Sequence, residues 1–132
     1  MAITENRQSS VLQALLSADS KPTKDIPMKR LGVDFQIQAL DGKTINKIQE
    51  QCTHYVGKGQ KREKVMDEEQ FGALVIQKAC LIPDWSAKEL IEKYGTPTEA
   101  ILGLLLAGEI AKLSTEILEI SGFDSDEDEI KN

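Results

Sequence analysis

The side chains that most often carry chemistry are thinly spread in this chain. Cys52, His54 and Cys80 are its soft metal ligands, whereas a structural zinc site takes four ligands, usually in close-spaced pairs. Cys52 and His54 fall on a helical pattern, and a spacing of two residues points them to different faces, so buried cysteines are the better account. No serine or cysteine nucleophile motif surrounds His54, which leaves a catalytic triad without support. The run "DSDEDE" from Asp124 to Glu129 starts like a calcium loop, but that loop needs a glycine at its sixth position and a bidentate glutamate at its twelfth, and the sequence runs out first. "GKGQKREK", Gly57 to Lys64, holds Lys58, Lys61, Arg62 and Lys64, yet it has neither the G-K-[ST] ending of a P-loop nor a G-x-G-x-x-G turn. It reads as a mobile basic loop or short edge hairpin, or as a dock for an acidic segment such as the chain's own tail. No carboxylate pair sits in an apolar setting that would raise one pKa for acid–base work. No catalysis, cofactor or metal is expected.

Charge narrows the partners. The net charge of −6 is concentrated in residues 124–132, where five carboxylates stand against Lys131. An acidic balance argues against general nucleic-acid binding, which draws its affinity from lysine and arginine on phosphates, and an aromatic content of 5% leaves little to stack on bases. Dense like charge cannot offset the entropy of ordering, so residues 124–132 are expected to be a disordered tail. The most apolar run, Ala100 to Ala107, falls well short of the roughly 20 residues of a membrane span. Glu109, Lys112 and Glu116 then interrupt it at helical spacing, so no membrane is implied and the segment is core or a surface for another protein. A length of 132 residues fits one domain. The opening "MAITENRQSS" lacks a secretory pattern and two isolated cysteines make no disulfide framework, so a reducing cytoplasm is the default compartment.

The elements that would position these groups are mostly helical. Val11, Leu12, Leu15 and Leu16 share a face behind Ser9 or Ser10 as cap, and "DSKPTKD" follows as linker. "IPMKRLGVDFQIQAL" alternates, with Val33, Phe35, Ile37 and Ala39 on one face of a strand and Gly32 at a turn. Asp41 caps a helix whose stripe is Ile45, Ile48, Cys52 and Tyr55, ending before Gly57. Asp67 starts a more apolar helix through Phe71, Leu74, Val75, Ala79 and Ile82, closed by "PDW". Ser86 with Glu89, and Thr96 with Glu99, are spaced as capping boxes, with Pro97 at a first helical position and Gly95 as a left-handed stop. From Glu109 onward Ile110, Leu113, Ile117 and Ile120 form another stripe, set off by Gly108 and ended by Gly122, so two short helices are expected there. The fold class is therefore α+β: a mostly helical single domain with a small antiparallel β element from Pro27–Leu40, joined by 61–66.

Taken together, "RLGVDFQIQAL", "DGKTINKIQEQC", "FGALVIQKACLIPDW", "AKELIEKYG" and "LLAGEIAKLSTEILEISGF" resemble the XkdN-like phage tail assembly chaperones over most of residues 26–123. Its most specific parts are the "PDW…ELIEKYG" junction and the "GEI…SGF" end. The resemblance implies a non-enzymatic protein that binds the tape measure protein, a long, helical, aggregation-prone chain, until tail tube subunits polymerise around it. It also implies action in the host bacterial cytoplasm, absence from the mature virion, and often a second, longer product made by ribosomal frameshifting near the end of the frame, which recruits the tail tube protein. Lys131-Asn132, with A-rich codons, is where such a slip is expected. The domain plan is then an N-terminal helix and linker (1–25), the chaperone domain (26–123) and the acidic tail (124–132). Partner contacts are placed on Leu104, Leu105, Leu106, Ile110, Leu113 and Ile117, with Trp85 as anchor, although each alone is more often core than contact. A DNA-associated helical adaptor or regulator, with the helices from Ser86 and Pro97 as a pair and the basic loop on phosphate, is the rival that the acidic balance disfavours.

Overall fold

The structure, a computed structural model, describes residues 2–18 and 21–123, with side chains from residue 6 onward. The acidic run and Lys131-Asn132, on which the tail and frameshift expectations rest, lie outside those residues.

Helix α1, Ala2–Ser17, begins well before the expected caps, so Ser9 and Ser10 are interior. The segment before them is rich in Glu, Arg and Gln and holds no Gly or Pro to stop a helix. Strands β1, Thr23–Met28, and β2, Val33–Gln38, form an antiparallel hairpin in which Ile26 opposes Phe35. Gly32 closes its turn at φ 71, with its N–H donating to the Met28 carbonyl at 2.9 Å. The strand takes in Thr23–Asp25, which the sequence pattern had assigned to a linker. Ile26, Met28, Phe35 and Ile37 face the core, while Val33, expected on that face, is 52% exposed at the strand's outer end.

Asp41 caps α2, Gly42–Cys52, by accepting from Thr44 N at 2.8 Å, and Ile45, Ile48 and Cys52 are buried. Tyr55 does not continue that helix. It stands exposed in β3, Thr53–Val56, which pairs with β4, Glu63–Met66, as a separate two-stranded ribbon. The 61–66 segment is thus partly a strand, but not of the main sheet. Backbone pairing decides this: the Cys52 carbonyl accepts from Asp67 N at 2.8 Å, which closes the ribbon at its base.

The third strand of the main sheet is β5, Cys80–Ile82, on the other side of β2 in the order β1-β2-β5. The apolar stripe extends to Ile82, but helix α3 is Glu68–Ala79, capped by Asp67. Two effects end it early. Ile82 precedes Pro83, which disfavours helical geometry in the residue before it, and Cys80 and Ile82 find partners in Ile37 and Gln36.

Ser86 does not cap the next helix. Its N–H donates to Asp84 Oδ1 at 2.9 Å, an Asx turn that displaces the box, and α4, Lys88–Tyr94, follows Ala87 with no side-chain cap. The second box is realised as a cap: Thr96 Oγ1 accepts from Glu99 N at 3.1 Å ahead of α5, Pro97–Leu104, after Gly95 at φ 93. The chain breaks at Leu105–Leu106, not at Gly108, and α6, Ala107–Ile120, contains that glycine. Gly122, at φ 101, ends it as expected.

The sheet and helices α2, α3, α5 and α6 enclose one core in which Ile37, Ile76, Ile101, Leu113 and Ile117 are fully buried. Trp85 plugs its edge, meeting Phe35 edge-on at 6.0 Å. The fold is α+β, as the sequence indicates, and among the described residues no helix is long and apolar enough to cross a membrane.

Candidate functional site

An open groove of about 710 Å³ lies between α3, α5 and α6, within the range of ligand and peptide sites. Gly72 sets its depth. A methyl at that position would meet Ile110 Cγ2 and Ser114 Oγ, each at 3.2 Å, so α6 crosses α3 where the side chain is a hydrogen. Phe71, Leu102, Leu105, Ile110 and Leu118 form the apolar walls, and Glu68 and Glu69 stand at the rim. Ser114 Oγ, set against Gly72 at the α3–α6 crossing, is shut from water and has no hydrogen-bond partner.

The far side of the groove is fixed by a residue that periodicity does not reveal. Arg30, in the β1–β2 turn, grips Glu109 with Nε and Nη2 at 3.0 and 2.8 Å, and Nη2 also donates to the Leu104 carbonyl at 3.0 Å. Glu109 Oε1 accepts in turn from Leu106 N at 2.8 Å. One ion pair thereby satisfies an orphan carbonyl ending α5 and an orphan N–H starting α6. This is why α6 starts ahead of Gly108. The Glu109 carboxyl is held below its ordinary value of 4.5, first by the Arg30 guanidinium and then by the Leu106 N–H. A depressed carboxylate stabilises the fold above its unfolded pKa, and the contribution disappears as pH falls through the folded value. Glu109→Gln is therefore expected to lower the melting temperature at pH 7, with the gap to the parent closing below about pH 4.5. Melts from pH 3 to 7 check this, and a gap independent of pH would remove the ionic account.

The residues expected to touch a partner separate into distinct places. Ile110 lines the groove and Leu105, though buried, forms part of its wall. Leu104 and Leu106 are exposed at the α5–α6 corner beside it, Leu106 at 57%. Leu113, Ile117 and Trp85 are in the core. Phe71, Leu102, Ser114 and Leu118 complete the groove, and the i, i+4 recurrence of Ile110, Ser114 and Leu118 is the sequence signal that could have found a second face on α6.

The chemistry-bearing residues do not converge. Cys52 is buried, His54 is exposed on β3, and among the described residues no three His, Cys, Asp or Glu side chains gather to hold a metal. Burial pushes the Cys80 thiol up to about 11. Trp85 Nε1 finds no partner of good geometry, and its N–H, near the weakly accepting Cys80 sulfur, only partly offsets that rise. Such a thiol is inert at neutral pH. The basic loop is the tip and second strand of the β3–β4 ribbon, where Arg62 stacks over Tyr55 at 4.4 Å.

Residues 12–132 match the family model described as phage XkdN-like tail assembly chaperone protein, beyond both ends of the 26–123 span. YqbN, an uncharacterised protein of Bacillus subtilis strain 168, is 32% identical over 103 residues, covering 75% of this chain and 69% of its own. XkdN, a protein of the phage-like element PBSX in the same strain, is 30% identical over 108 residues, covering 76% and 73%. The crystal structure of the protein YqbN has the same fold, with a TM-score of 0.59 at 23% identity over 80% of this chain and 88% of that one.

Proposed function

The chain belongs to the XkdN-like phage tail assembly chaperone family, and we propose that it works by holding an amphipathic helix of the tape measure protein in the groove between α3, α5 and α6. The observation that carries this is the groove itself: apolar walls open to solvent along α6, with Leu104 and Leu106 exposed at its corner. An amphipathic helix laid there buries its apolar stripe without unfolding, the mode by which many grooves take helices. Capture hides the client's stripes from one another, which keeps an aggregation-prone chain soluble until tail tube subunits enclose it. In this account the protein acts in the host cytoplasm and leaves before the virion is complete, and a longer translation product carrying this domain would bring tube subunits to the client. No catalytic step is needed.

Co-expression tests the proposal. With the chain present, the tape measure protein should shift to the soluble fraction and co-purify with it. Equal solubility with and without the chain, and no complex, would sink it. The DNA-adaptor alternative predicts instead a retarded duplex at low salt that is abolished by neutralising Lys58, Lys61, Arg62 and Lys64.

A further inference from the structure

The α5–α6 corner has little support of its own. Leu105 and Leu106 are both extended, with ψ 145 and 155, and Leu106 opens α6 without a side-chain cap. Gly108, a weak helix former, follows within the first turn. Yet this corner makes one end of the groove, where Leu105, Ala107 and Ile110 are lining residues and Leu104 and Leu106 stand exposed. We infer that Arg30 is a positioning residue for client capture, which sets this corner through Glu109 and does not touch the client. The inference rests on the groove being the client site and adds what holds that site in shape.

Arg30 works from the opposite side of α6. The 3.6-residue turn puts Glu109 on the flank facing away from Ala111 and Leu118. Arg30 and Glu109 share a small separate cavity with Pro27, Met28, Lys29 and Lys112, none of which lines the groove. A helix bound in the groove is therefore separated from Arg30 by the body of α6.

The guanidinium ties both helices to the β1–β2 turn. Nη2 donates to the Leu104 carbonyl, which belongs to α5, while Nε and Nη2 hold Glu109, whose Oε1 accepts from Leu106 N at the start of α6. A lysine ammonium pairs with Glu109 but lacks the planar fork that spans all three groups. With the tie cut, the Leu104 carbonyl and the Leu106 N–H turn to water, which reaches both residues, so the fold survives while the first turn of α6 frays. Leu105, Ala107 and Ile110 then lack fixed places before the client arrives. Ordering them on binding lowers affinity.

Hydrogen exchange on the free chain reads the positioning without any client. Arg30→Met keeps most of the apolar stem and removes the fork. The amides of Leu105, Leu106, Glu109 and Ile110 should exchange about tenfold faster, while those of Leu113 and Ile117 keep the parent's rates. Capture of the tape measure protein, titrated well below the melting temperatures, should weaken by about three- to tenfold. Arg30→Lys should recover part of both. Ile76→Val, a small deletion in the core away from the corner, isolates the effect of stability alone: it should lower the melting temperature and leave capture unchanged. Unchanged exchange at the corner in Arg30→Met overturns the inference, and so does full capture by a variant whose corner exchanges faster. Equal loss of capture in Ile76→Val overturns it too, because lost stability would then explain both. A parent chain that captures no tape measure protein is the failure of the groove reading, seen before any variant is made, and it removes this role as well.

Discussion

Leu113→Asp should abolish the folded state. Leu113 is fully buried at the α6 face that meets the sheet, in one cluster with Ile37, Ile76 and Ile117. Removing the leucine packing alone costs about 2–5 kcal/mol. The carboxylate must then either keep its charge unpaired in the core or take up a proton at a raised pKa, and either adds several kcal/mol more. A domain of this size has about 5–15 kcal/mol in total. The expected result is loss of the cooperative melt and of most soluble yield, with Leu113→Ala giving the graded version, a loss of about 2–5 kcal/mol by denaturant titration. A folded Leu113→Asp protein melting within a few degrees of the parent would show that α6 does not pack as described. The consequence for function is restrictive. Any loss of client capture in this variant reports the missing fold, and the same holds for Ile117 and Trp85.

What could be read from the sequence was chemistry that acts within one turn of the chain. Asp41, Asp67 and Thr96 bond to backbone N–H groups three residues on, and Gly95 and Gly122 take positive φ where a helix stops. The alternation through Phe35 and Ile37 needed only its period. The expectations that failed had a local signal opposed by something distant or by a stronger local competitor. Tyr55 and Ile82 continue helical stripes, but backbone pairing with Lys64 and with Gln36 claims those positions for strands. Ser86 had the spacing of a cap, but Asp84 was nearer. The start of α6 depends on Arg30, 79 positions away from Glu109, a separation that no periodic pattern encodes. The groove was half legible for the same reason. Periodicity placed Ile110, Leu113 and Ile117 together on α6, whereas the crossing at Gly72 sends Leu113 and Ile117 inward and turns Ile110, Ser114 and Leu118 toward α3.

Leu106→Asp should do the opposite of Leu113→Asp, separating capture from folding. Leu106 is the N-cap residue of α6, with φ −77 and ψ 155 and no side-chain bond to the helix. That backbone geometry suits an aspartate, whose carboxylate would accept from the N–H groups of the first turn and complement the helix dipole, and leucine is among the poorest caps. Little burial is lost, since the side chain is 57% exposed. The repulsion between a new carboxylate and Glu109 is moderated by Arg30, which already holds Glu109 through two bonds. The expected change in stability is therefore a gain of up to about 1 kcal/mol. If Leu106 touches the client at the groove's corner, replacing an apolar contact with a charge should weaken capture by about tenfold or more. Leu106→Ser supplies the control: it can cap without charge, so it should keep the stability gain and lose less binding. Pull-down of the tape measure protein alongside a thermal melt reads both quantities. Weakened capture with an unchanged or higher melting temperature assigns Leu106 to the contact surface. Full capture by a stable Leu106→Asp protein would confine the client to the groove interior, along Phe71, Ile110 and Leu118, and remove the corner from the binding site.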